Sequence, residues 1–221
     1  RVFPVIFVFG LGAKMLLDLL FKRSLNRRYL AFFVTFSATL GGLVIMSLLY
    51  DSGFDLWREY IQRLRTHNIV ISPWRVGFKY LFLATPDTPN AMSIFFQIRM
   101  RSMFANAQGL WWSIQAAILF VSIYAVRRLD DDEAMAFGFV PTFFLVAPTY
   151  YYYVMLVVPV VWFASRLERP SRAIGLLIIF GASVAAYMLD GEYGRSLPLF
   201  FRLSAVLLGL AVYMLLVGYF E

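Results

Sequence analysis

The chain has 221 residues, 61% of them apolar and 19% aromatic, with a mean hydropathy of +0.72; that is far from the balance of an ordinary globular domain and places it among polytopic membrane proteins. The net charge of +7 would suggest nucleic acid in a soluble protein, but here the basic residues stand mostly between apolar segments, where anionic headgroups and the positive-inside rule account for them. The absence of cysteine excludes disulfides, zinc–thiolate sites, iron–sulfur clusters and thiol nucleophiles.

Apolar sequence begins at once after Arg1, without the charged region, apolar core and cleavage site of a signal peptide. The chain therefore reads as a piece of a longer protein. Residues 2–21 form the first expected span and carry Lys14 and Asp18, four apart and so on one helix face. Charges at that depth should face the bundle interior or water and pair, most simply with each other. Lys22, Arg23, Arg27 and Arg28 crowd the next loop, a cytoplasmic marker. Residues 29–50 carry no charge and have a tyrosine at each end, which predicts a second span with interfacial anchors.

Residues 51–108 then fall on the extracytoplasmic side. They hold seven basic residues and the single histidine, and this is where action outside the lipid is expected. Phe54, Trp57, Ile61 and Leu64 recur at helical spacing opposite Arg58, Glu59, Gln62, Arg63 and Arg65, predicting a helix lying along the membrane surface. Ser52 and Asp55 suit a capping box at its start. A second short helix is expected from Pro73 across Trp74 to Leu83, and a third from Ala91 to Phe104. A turn cluster at residues 85–90 separates the two.

The third span is expected at residues 109–126, opened by Trp111 and Trp112 and closed by Arg127 and Arg128. The following run, Asp130 to Glu133, reads as a solvated loop, since no metal-ligating partners accompany it. Residues 134–164 make up 31 positions, about 46 Å as one helix, with Pro148 near the middle. Two readings stand: one strongly tilted crossing, or a hairpin of two short helices. The hairpin keeps Arg166, Arg169 and Arg172 beside Arg127 and Arg128, and puts the run Tyr150, Tyr151, Tyr152 and Tyr153 at its corner. Residues 171–189 and 197–220 are the last two spans, with Arg202 near enough to the surface to snorkel.

Motifs that would fix a reaction are missing: there is no P-loop, Rossmann fingerprint, HExxH or GxSxG. The basic and aromatic residues of the polar segment carry the chemistry that remains. Arg65, Arg75, Lys79, Arg99 and Arg101 suit a phosphate, arginine supplying the bidentate fork. Trp57, Trp74, Tyr150 and Tyr151 suit a sugar ring or a lipid groove. His67 has the reference pKa of a general base, and Asp51 and Asp55 lie where an acceptor hydroxyl would be positioned. These three are the catalytic candidates, weighed against polar surface for the histidine and helix N-terminal charges for the aspartates.

The order Trp57, His67, Gly77-Phe78-Lys79, Arg127-Arg128, then an apolar segment ending in Thr149 and four tyrosines resembles the C-terminal half of bacterial polytopic proteins related to the GT-C glycosyltransferases. The resemblance covers roughly residues 51–189 and departs at Trp74, where those relatives tend to carry asparagine. It implies a membrane-embedded transferase taking a sugar from a polyprenyl-phosphate carrier on the outer face of a bacterial inner membrane. It carries His67 and Gly77 over as donor-side or structural positions, and places the acid that activates the acceptor upstream of Arg1.

The expectation is thus an all-α, polytopic transmembrane helical bundle of about six or seven membrane segments. Its parts would be two spans in residues 1–50, surface-lying amphipathic helices in 51–108, and four or five membrane segments in 109–221. No metal and no cofactor beyond a lipid-linked sugar donor is expected. Membrane lipids, that donor and other membrane subunits are the expected partners, and nucleic acid is not among them. The alternative to the transferase is a non-catalytic subunit that scaffolds a larger membrane complex.

Overall fold

A computed structural model describes residues 3–50, 53–69, 75–83, 94–145, 155–193 and 196–221. Among them the regular structure is helical and no strand occurs. The helices are α1 (Phe3–Leu17), α2 (Arg27–Tyr50), α3 (Gly53–Ile69), α4 (Ile94–Val126), α5 (Asp131–Phe137), α6 (Phe139–Leu145), α7 (Val157–Ala164), α8 (Pro170–Tyr193) and α9 (Leu197–Phe220). A π-helical turn, Asp18–Lys22, continues α1, and a 3₁₀ turn spans Phe78–Phe82. Among the described residues, four stretches are long and apolar enough to cross a bilayer: Arg27–Leu49, Met100–Val126, Pro170–Tyr193 and Leu197–Phe220. They make this an integral membrane protein. At 15 residues, α1 does not reach that length alone, nor do α5, α6 and α7.

The chain divides into two compact units, one of residues 1–14 with 72–221 and the other of residues 15–71. The larger is built around α9. Ser196 caps this helix, its Oγ accepting from the Leu199 N–H at 3.3 Å, and a proline stands in the first turn, where a missing N–H costs nothing. Leu199, Phe200, Leu203, Leu207, Leu210 and Met214 are buried along it, so the stripe it turns inward is wide. Packed around α9 are α4, α6, α8 and the 3₁₀ turn.

Helices α5, α6 and α7 form the hairpin of the same unit. Asp130 and Glu133 make a reciprocal capping box at the start of α5. At the far end of the return helix, the Arg166 guanidinium meets the Asp130 carboxylate at 2.6 Å, and Ser165 donates to Glu133 at 3.3 Å. The chain therefore leaves and re-enters at one end of the bundle, the geometry of a hairpin and not of a crossing. Where α6 ends inside the protein, the buried Gln115 of α4 donates to the Phe144 carbonyl at 2.5 Å. That bond satisfies one of the carbonyls a helix C-terminus leaves open.

In the smaller unit α3 turns back on α2. A Cβ at Gly53 would lie 2.4 Å from the Leu48 carbonyl oxygen, so only glycine allows α3 to start this close to α2. Trp57 Nε1 then donates to Ser47 Oγ at 2.9 Å, tying the two helices together.

Four expectations change. Lys14 and Asp18 do not pair: Lys14 bonds Asp131 and Asp18 bonds Lys22, each at 2.7 Å. A π turn begins at Asp18 and shifts the helical register, and acid before base four residues on is the better order. The helix expected over residues 91–104 and the span over 109–126 are one helix of 33 residues; a change from polar to apolar composition ends nothing without a proline or a cap. The helix expected from Pro73 to Leu83 shrinks to the Phe78–Phe82 turn, because Gly77 has φ 136° and ψ 170°, which no helix passes through. The run Asp130 to Glu133 is a helix start, with Glu133 only 3% exposed, and not a solvated loop.

Candidate functional site

The N-terminal half of α9 holds one candidate site. Gly77 donates its N–H to Ser204 Oγ at 3.1 Å, and Ser204 in turn donates to the Phe200 carbonyl at 2.7 Å. Gly77 adopts a conformation open essentially to glycine alone, and from it the chain enters the 3₁₀ turn through the Tyr80 N–H to Gly77 carbonyl bond at 3.0 Å. The turn is anchored by Phe78, whose ring lies 4.9 Å from Phe144 and 5.1 Å from Phe82, and by buried Val76, Tyr80 and Leu83.

Two cations flank that anchor. Arg75 is 8% exposed. Lys79 is half-buried, its Nζ 4.7 Å from the centre of the Phe104 ring, and Phe104 begins an aromatic row through Trp111 (5.3 Å) to Trp112 (4.7 Å). Burial first, and the neighbouring Arg75 charge second, hold the Lys79 ammonium below the usual lysine range. Further along α9, the Arg202 guanidinium covers the Tyr193 ring at 4.0 Å, and its buried Nε has no hydrogen-bond partner among the described residues. At this end cations rest on aromatic faces, which stabilise a charge without neutralising it.

The C-terminal end of α9 carries the opposite arrangement. Arg172 is fully buried; it donates to Glu221 at 2.8 Å, to the Trp162 carbonyl at 2.8 Å and to Glu133 at 3.1 Å, and stacks 3.4 Å from the Trp162 ring centre. Arg166 bridges Asp130 and Glu133 at 2.6 and 2.8 Å, and Arg169 reaches Glu221 at 3.1 Å. Ser171 donates to Glu221 at 2.5 Å. Burial pushes the Glu221 carboxyl up, but the hydrogen bonds from Ser171 and Arg172 and the charges of Arg172 and Arg169 outweigh it. They hold it below the ordinary carboxylate range. Three arginines and three carboxylates thus close a neutral network joining the hairpin to α8 and the end of α9.

Of the residues singled out by sequence, Arg75 and Lys79 are brought together beside Gly77. Arg101 is exposed on α4, one turn before Phe104. Trp57 and Asp55 belong to α3 in the smaller unit; Trp57 lines a groove there, and Asp55 is exposed on the first turn. Arg65 and His67 fall on the last turns of α3 and Arg99 on the first turns of α4, their side chains outside the described ones. Asp51, Trp74, Tyr150, Tyr151 and Pro148 lie outside the described residues. Sequence reasoning missed Glu133, Arg172 and Glu221. The available signals were the capping-box spacing of Asp130 and Glu133 and an arginine two residues into an apolar helix.

Compared with protein-family models, with curated proteins and with solved structures, the chain finds no match.

Proposed function

We propose that the Arg75–Lys79 end of this integral membrane protein holds the phosphate of a lipid-linked substrate. The reaction is that of a membrane-embedded glycosyltransferase of the GT-C type, using a polyprenyl-phosphate-linked sugar on the extracytoplasmic face. One observation carries the reading: Lys79 is kept half-buried over Phe104 with a second cation, Arg75, near enough to depress its pKa. A bound anion near Lys79 would offset both its burial and the repulsion from Arg75. In transfer, the bond from the anomeric carbon to the phosphate oxygen breaks, the acceptor oxygen bonds that carbon, and the acceptor hydroxyl gives up its proton. The negative charge that grows on the leaving phosphate is what Arg75 and Lys79 would stabilise, in a setting where water screens little. The aromatic row Phe104, Trp111 and Trp112 offers faces for a sugar or a prenyl tail. The basic loop at residues 22–28 supports an outward placement of the polar segment by the positive-inside rule.

The scaffold reading draws on a different observation, that none of the apolar stretch of α2 is buried within the chain. A helix so bare offers its whole length to another membrane subunit. The test is native mass spectrometry of the purified chain with a short-chain polyprenyl-phosphate sugar. The transferase reading expects retention of the donor, lost about tenfold or more in both R75Q and K79Q, since a charge-assisted hydrogen bond contributes about 1.5–3 kcal/mol. Equal retention by both variants, or none by the wild type together with a stoichiometric membrane partner, overturns it in favour of the scaffold.

A further inference from the structure

The smaller unit carries a second feature, separate from the site above and independent of the transferase reading. Between α2 and α3 lies an open groove of about 680 Å³. Val44 and Leu48 form its α2 wall, and Phe54, Trp57 and Ile61 its α3 wall. Arg58 and Gln62, one helical turn apart, stand on the α3 lip. The walls are held together at their closed end, by the close approach of Gly53 to Leu48 and, one turn along α3, by the Trp57–Ser47 hydrogen bond. The groove is therefore shaped by the fold.

We infer that this groove binds one anionic phospholipid, with an acyl chain along Val44, Leu48, Phe54 and Ile61 and the phosphate at Arg58. Three observations select that occupant. The α2 wall belongs to a helix that meets the requirements of a bilayer span and buries none of that span among the described residues, which leaves it open to acyl chains. The second wall belongs to an amphipathic helix whose apolar residues are left uncovered, Phe54 at 80% and Ile61 at 46% exposure, as in helices that lie in the headgroup boundary. The charge is placed on one lip: Arg58 lines the groove, whereas Arg63 of the same helix is held by Glu59 and does not. An apolar trough ending in an arginine matches a molecule with an apolar tail and a single phosphate, and the walls would be idle for a free phosphate.

The experiment reconstitutes the full chain in vesicles of phosphatidylcholine and phosphatidylglycerol, extracts it in mild detergent, and counts retained lipids by native mass spectrometry. One phosphatidylglycerol per chain is expected. R58Q should lower its retention about fivefold, the effect of removing one surface arginine from an anionic lipid. V44W, which fills the trough from a half-buried position on its α2 wall, should displace the lipid while Arg58 remains. R63Q should change nothing, and circular dichroism keeps unfolded variants from being scored. Retention unchanged in R58Q, an equal loss in R63Q, or a lipid-free wild type migrating as a dimer would each overturn the assignment, the last by giving the groove to a second copy of the chain.

Discussion

The two ends of α9 treat positive charge in opposite ways. At the C-terminal end, Arg166, Arg169 and Arg172 share Asp130, Glu133 and Glu221, equal in number and bridged. At the N-terminal end, Lys79 and Arg202 lie over Phe104 and Tyr193, and Lys79 faces a second cation in Arg75. A carboxylate cancels a charge and fixes its geometry; an aromatic face leaves the charge available to a ligand. The first end therefore reads as a clasp and the second as a place for an anion. Arg172 shows how far the clasp goes: a guanidinium with no exposed surface is tolerable only because two carboxylates, a carbonyl and an indole face surround it.

The comparison is broken most forcefully at the clasp. Arg172→Ala leaves Glu133 and Glu221 buried with less than their complement, and a loss of about 3–5 kcal/mol of stability is expected. Thermal melting in detergent measures it. Replacing Arg172, Glu133 and Glu221 together by apolar residues should cost less than the single change, because Arg166 keeps Asp130 and the arginine that loses its carboxylate, Arg169, is exposed enough to be solvated. A triple variant as weak as R172A would show that the network stabilises on balance and does more than satisfy itself.

At the other end the backbone is the sensitive point. Gly77→Ala forces a side chain into a conformation that L-residues avoid, at about 1–3 kcal/mol. The 3₁₀ turn carrying Lys79 hangs on that residue through Ser204 and Tyr80. The expected result is a modest drop in melting temperature with a larger loss of donor retention. Ser204→Ala, which removes the hydroxyl and keeps the backbone angle, should reproduce part of the binding loss with little change in melting. A G77A variant that melts lower yet binds the donor as the wild type does would separate the turn from the site.

Acid separates the two ends as well. Glu221 has a folded pKa below its ordinary value of 4.5, so the stability it contributes is complete above that value. It is lost as pH falls further, through the folded pKa. Between neutrality and pH 4.5 the clasp should hold, and melting curves should fall only below it. E221Q should flatten that acid limb. A clasp already loosening near pH 6 would point to another group as its weak member.

The helices were legible wherever apolar length decided them: α2, α8 and α9 follow from apolar runs with one arginine or none between basic or polar stops. The break in residues 134–164 was legible as a choice between two shapes, and the contact of Arg166 with Asp130 decides it. What sequence could not give was pairing across the chain. Lys14 finds Asp131, 117 positions away, and nothing local ranks that partner above Asp18. Glu133 and Glu221 are 88 positions apart and share one arginine, an arrangement that exists only once α8 and α9 lie side by side. Of the candidate site, Arg75 and Lys79 were readable as phosphate candidates by residue type, but on an expected helix that Gly77 breaks. The Phe104 ring beneath Lys79 was not, because it sits 25 residues on, in a different helix.

The smallest expected effect is also the most direct probe of the open end. Burial and Arg75 lower the Lys79 pKa from its ordinary 10.5, so the folded protein holds this proton less tightly than the unfolded chain does. Its burial costs stability at neutral pH, and that cost begins to lift as pH rises through the lowered pKa and is gone above the ordinary 10.5. An amine-acylating reagent read by peptide mass spectrometry across pH 7 to 10 should therefore modify Lys79 at lower pH than Lys22, whose ammonium is exposed beside Asp18. Arg75→Gln removes one of the two causes and should move the Lys79 profile part of the way back. A phosphate bound between the two residues would favour the ammonium and shift the profile upward, so the donor lipid should delay labelling of Lys79 while leaving Lys22 unchanged. Delay of both lysines would report surface coverage by lipid, and delay of neither would remove the anion from this end of α9.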